Sequence, residues 1–73
     1  METYNIEQAA MKSRVSEKDI ADFYKMRGYL KPEKDGYSAT ILGIEKNCVI
    51  NDNNYRAKFT LEGVKRVADA FIA

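Results

Sequence analysis

The side chains with the most chemistry to offer in this sequence are its cations. Arg14, Lys18, Lys25, Arg27 and Lys31 fall in one short stretch, with Lys12 and Lys34 at its ends. From Lys12 to Lys34 there are seven basic and four acidic residues, a local excess of three positive charges in a chain of formal net charge +1. Guanidinium and ammonium groups at that density suit phosphate oxygens. The plain alternative is a solvated helix face. Ser16 offers a hydroxyl that either touches a phosphate or caps a helix. Arg56 and Lys58 form a second basic pair, which grips an anion or simply keeps a strand edge from aggregating.

Other chemistries lack their residues. With no His, there is no imidazole base and no ready zinc site. The single Cys48 sits in an apolar run and reads as a small buried hydrophobe, not a nucleophile. No pair of carboxylates has a spacing that argues for acid–base work. Gly28, Gly36, Gly43 and Gly63 are isolated, so no glycine-rich phosphate loop is present. The expectation is a non-enzymatic protein with no metal, no cofactor and no small-molecule substrate. Of the five tyrosines, most suit the edge of a core, and only Tyr37 and Tyr55 are placed to stack on bases.

These residues need a scaffold, and 73 residues make one domain over 1–73. A content of 45% apolar and 32% charged residues fits a folded globular chain. No apolar run nears the roughly 18 residues of a membrane span. The opening Met1-Glu2-Thr3-Tyr4 has neither the basic stretch nor the apolar run of a secretion signal, which predicts a cytoplasmic protein without a membrane partner. A core this small leaves little margin, so a homodimer or a protein partner is expected to contribute.

Hydrophobic spacing predicts the elements. Ile6, Ala9, Ala10 and Ser13 share one helical face, giving a short helix over 5–12 capped by Thr3 or Asn5. Ser16-Glu17-Lys18-Asp19 resembles a capping box, with Val15 and Ile20 as a hydrophobic staple. The second helix then runs about 16–27, with Ile20, Phe23 and Tyr24 as its apolar stripe, Arg27 snorkelling beside Phe23 and Gly28 as terminator. Helix, tight turn and capped helix make a helix-turn-helix. Residues 31–36 read as a loop. Residues 37–42 and 48–50 are strand-like, and Asn51 to Asn54 form a turn. Tyr55, Ala57 and Phe59 alternate with Arg56 and Lys58, which predicts a two- or three-stranded antiparallel sheet over 37–59. Thr60 caps a last helix. Its Leu61, Val64, Val67, Ala68, Phe71 and Ile72 lie within about 140° on a helical wheel, the best amphipathic segment in the chain.

The order of these pieces resembles a known family. Ile6-Glu7-Gln8-Ala9-Ala10, Val15-Ser16, Ile20, Gly28-Tyr29-Leu30-Lys31-Pro32 and Tyr55-Arg56-Ala57-Lys58-Phe59-Thr60 are similar, in sequence and register, to the winged helices of MerR-type regulators and phage excisionases. The resemblance implies an α+β winged helix-turn-helix: two N-terminal helices, a small antiparallel sheet as the wing and a C-terminal amphipathic helix. It also implies a double-stranded DNA partner and a regulatory or accessory role in transcription or site-specific recombination, with a phage or mobile-element origin. Arg14, Ser16, Lys18, Lys25, Arg27, Lys31, Arg56 and Lys58 would be the DNA-contacting residues. Glu17, Asp19 and Asp22 on the second helix, and the stretch Ala39 to Ile50 with no counterpart in the family, favour the rival reading. In that reading the same scaffold is a protein-interaction module, such as a phage-encoded inhibitor of a host protein.

Overall fold

A computed structural model describes residues 2–72. The first helix, α1 (Ile6–Ser13), begins where Asn5 and Gln8 cap each other: the Asn5 side chain accepts from the Gln8 N–H, and the Gln8 side chain accepts from the Asn5 N–H. It ends at Arg14, whose φ of 60° is left-handed. The second helix, α2 (Glu17–Met26), starts at Ser16, whose hydroxyl accepts from the Asp19 N–H at 3.1 Å. No return bond from the Asp19 carboxyl is present, so the predicted capping box is one-sided here, and the reciprocal box belongs to α1. At the far end, the Gly28 N–H bonds to the Lys25 carbonyl and the Tyr29 N–H to the Tyr24 carbonyl. With φ +76° at Gly28, this is a complete Schellman termination.

The chain then departs from the expected loop. Residues 31–36 are mostly strand: β2 (Leu30–Glu33) and β3 (Gly36–Ala39) pair antiparallel around a turn at Lys34 and Asp35. The predicted strand over 37–42 stops at Ala39 because Thr40 caps a short helix, α3 (Ile41–Glu45), with its hydroxyl accepting from the Gly43 N–H. Next come β4 (Val49–Asn51) and β5 (Ala57–Thr60), and β5 runs directly into α4 (Leu61–Ile72). A further strand, β1 (Thr3–Tyr4), pairs with β5, so the three-stranded sheet is ordered β1-β5-β4 and all its pairs are antiparallel. The described residues form a small α+β unit of four helices and two antiparallel sheets, where one sheet over 37–59 was expected. No described helix is long and apolar enough to cross a membrane.

The core lies between the sheet and helices α1, α2 and α4. Ile20, Tyr24, Val49, Phe59 and Val67 are its most deeply buried large side chains. Tyr24 is its hub: it stacks on Tyr29, meets Phe23 edge-on at 4.9 Å and lies 5.8 Å from Phe59. Its hydroxyl donates to the Gly63 carbonyl at 2.5 Å. Gly63 is there for space, since a Cβ would fall on the carbonyl oxygen of Cys48. That close approach offsets the cost of roughly 1 kcal/mol for glycine in a helix. Thr60 caps α4 through its hydroxyl, which accepts from the Gly63 N–H and donates to the Asn47 carbonyl. The apolar stripe of α4 is only partly covered: Val64 and Val67 are buried, whereas Leu61, Phe71 and Ile72 are exposed.

Asn51 joins the two sheets. Its side-chain oxygen accepts from the Ala39 N–H at 2.7 Å, and its amide nitrogen donates to the Ala39 carbonyl at 3.2 Å. An asparagine amide has the donor and acceptor of a peptide group, so it continues the ladder from β4 onto β3.

Candidate nucleic-acid interface

The outward face of α2 carries Glu17, Lys18, Asp22 and Lys25. Asp22 sits between the two lysines: Lys18 Nζ lies 2.8 Å from one carboxylate oxygen and Lys25 Nζ 3.7 Å from the other. The Lys18 hydrogen bond lowers the pKa of the Asp22 carboxyl, and the same bond raises that of Lys18. Both pairs follow from spacings of four and three residues on a helix. They are solvent-exposed, so they hold weakly and a competing anion can take the lysines from Asp22. Lys25 also lies over the Tyr37 ring, 5.7 Å from its centroid, which links α2 to β3.

Between α2 and the strands runs an open groove of about 630 Å³. One wall holds Glu17, Lys18 and Ala21, and the other Tyr37, Arg56, Ala57 and Lys58. Phe59 and Ile6 contribute apolar surface, and Asp35 and Asp52 add two carboxylates. The structure thus brings Lys18, Arg56 and Lys58 to one groove, with Lys25 beside it through Tyr37. Arg56 donates from Nη1 to the Asp35 carbonyl at 3.0 Å, tying the β4–β5 connection to the turn of the hairpin.

The other expected site residues are dispersed. Arg14 is exposed in the turn between α1 and α2 and is not part of the groove lining. The Ser16 hydroxyl is engaged as a helix cap. Arg27 lies with its guanidinium 3.6 Å from the centre of the Phe23 ring and donates to the Phe23 carbonyl, the placement expected of a snorkelling side chain. It lines a separate shallow surface with Arg66 and Asp69. Lys31 is exposed on β2 opposite Ser38 and lines a second hollow that Arg56 also lines.

Tyr55 corrects the expected alternation. The strand begins only at Ala57, and Tyr55 stands in the preceding loop with φ 59° and 77% of its surface exposed. A left-handed backbone at a bulky residue costs about 1 kcal/mol or more. The loop is held by Asp52, whose carboxylate accepts from the Arg56 and Asn54 N–H groups. These two bonds, Arg56 first, lower the Asp52 pKa. Sequence alone marked 51–54 as a turn but gave no sign that Tyr55 would be its left-handed residue. Cys48 is fully buried as a free thiol, and burial raises its pKa, so it stays protonated.

The exposed apolar surface that the protein-interaction reading calls for lies on a helix the sequence did not predict. Ile41, Leu42 and Ile44 of α3 are 78%, 42% and 45% exposed on a helix of five residues. The only sequence signal for that helix was Thr40 followed by apolar residues. No family model, curated protein or solved structure matches the chain.

Proposed function

We propose that this chain is a small winged helix-turn-helix protein that binds double-stranded DNA and serves as a regulatory or accessory factor, not as an enzyme. In this reading α1 and α2 form the helix-turn-helix, α2 enters the major groove, and the β2–β3 hairpin is the wing. One observation carries the proposal: the exposed face of α2 opens onto a groove whose opposite wall presents Arg56 and Lys58. A phosphate strand lying there meets cations from two elements at once. The Asp22 carboxylate limits the affinity, because two lysines must leave it to bind phosphate. Binding by one copy is therefore weak and strongly salt-dependent, and a homodimer, adjacent copies or a protein partner would strengthen it.

Anisotropy titration with mixed-sequence duplex DNA at 50 and 200 mM salt tests this. Binding at the lower concentration that weakens steeply at the higher one is expected. Lys18→Glu with Lys25→Glu should abolish it, and Asp22→Asn, which frees both lysines, should tighten it. Affinity that survives the double reversal removes α2 as the reader. A second reading has its own support in the exposed Ile41, Leu42 and Ile44. Apolar side chains grouped on one short helix suit a protein-interaction module. Absence of DNA binding even at 50 mM salt would favour that reading.

A further inference from the structure

We propose that the loop Asp52–Arg56 is a second backbone clamp, holding Tyr55 out to meet the sugar–phosphate strand of duplex DNA. This rests on the DNA-binding reading above and adds a contact that the lysines of α2 do not supply. The loop is rigidly set. The Asp52 N–H donates to the Arg56 carbonyl, the Asp52 carbonyl accepts from the Tyr55 N–H, and the Asp52 carboxylate takes the N–H groups of Asn54 and Arg56. Those bonds fix the backbone on both sides of Tyr55, yet its side chain is 77% exposed and takes no part in the core. The residue is also the wrong type for its backbone. At φ 59° an asparagine is tolerated far better than a tyrosine, and Asn53 and Asn54 stand immediately before it. A ring held in a disfavoured conformation and turned away from the fold has its use in what it touches outside.

The surroundings favour a phosphate strand. Tyr55 shares a hollow of about 840 Å³ with Lys31, Lys34 and Arg56, against the carboxylates of Glu33 and Asp35. The Glu33 carboxylate is taken up by the Ser38 hydroxyl at 2.8 Å. The bond from Arg56 to the Asp35 carbonyl makes the loop and the hairpin turn one surface. A tyrosine at such a place packs its ring on deoxyribose and donates its hydroxyl to a phosphate oxygen, while the hairpin lysines of the same hollow meet neighbouring phosphates.

The test is Tyr55→Asn, measured for duplex affinity at 50 mM salt and for melting temperature beside the wild type. Affinity should fall about fivefold, the scale of one lost hydrogen bond to the backbone. The melting temperature should stay level or rise, because asparagine suits the left-handed backbone. An affinity within twofold of a wild type that does bind overturns the clamp and leaves the α2 reading standing. A melting temperature that falls together with affinity also overturns it, since the ring would then be structural. A wild type that binds no duplex overturns both.

Discussion

The helical pair at the start of the chain and the strand-rich middle are built by different means. Helices α1 and α2 are set by local signals. Asn5 and Ser16 cap within three residues, Gly28 terminates, and Ile20 and Tyr24 follow the helical period. The middle, residues 30–60, is held by single side chains that reach far along the chain. The Thr40 hydroxyl donates to the Gly28 carbonyl at 2.6 Å, Asn51 bonds both backbone groups of Ala39, and Thr60 donates to the Asn47 carbonyl. The ends of the first region's helices are marked by several local signals, although its buried Ile20 and Tyr24 tie it to the rest of the core. The second depends on a few residues, each of which closes a contact no neighbour can replace.

The largest effect is expected at the seam between the middle and α4. Gly63→Ala places a methyl group on the Cys48 carbonyl, a backbone atom that cannot rotate away. Overpacking of this kind costs about 3 kcal/mol, against roughly 1 kcal/mol gained in helix propensity. The net loss of about 2 kcal/mol corresponds to a fall in Tm of roughly 10 °C for a domain of this size. Thermal melting followed by circular dichroism measures it. An unchanged Tm would mean that α4 can slide off the strand, and the seam would not be the constraint described.

The next effect separates the two regions directly. Asn51→Ala leaves the part-buried N–H and carbonyl of Ala39 without their partner and should cost about 1–1.5 kcal/mol. Hydrogen exchange should quicken first in the β2–β3 hairpin, while amides of α1 and α2 keep their relative protection. Uniform loss of protection across the molecule would show that the hairpin and the helices unfold as one unit, and the comparison would fail.

The same difference decides what the sequence discloses. Helix α2 was legible to within a residue at each end, because Ser16 and Gly28 are themselves the start and stop. Thr60 was legible as a cap for the same reason. The hairpin was not: Lys31-Pro32-Glu33-Lys34-Asp35 has the composition of a loop, while its strands pair with each other and β3 is bound in addition at Ala39 by Asn51, twelve residues away. Helix α3 was hidden because its apolar residues are as common in strands, and no periodicity can show in five residues. Of the candidate site, the basic cluster on α2 could be seen, as could the spacing that pairs Asp22 with its neighbours. That Arg56 and Lys58 lie across a groove from Lys18 is a fact of topology, set by β5 running beside β1 and β4.

The smallest effect lies within the first region and has the opposite sign. Arg14 ends α1 at φ 60°, where the turn between the helices would be served by glycine. Arg14→Gly relieves about 1 kcal/mol of left-handed strain and gives back part of that as greater freedom in the unfolded chain, for a net gain of about 0.5 kcal/mol. Tm should rise by a few degrees. Arg14 is exposed, so the lost side chain removes little packing. It does remove a cation beside α2, and under the DNA-binding reading the affinity for duplex should fall as the stability rises. Arg14→Lys is the control: it keeps the charge and the strain, so both quantities should stay near wild type. A glycine variant that is more stable and binds DNA equally well would place Arg14 outside the interface. A less stable glycine variant would show that the arginine side chain itself supports the turn.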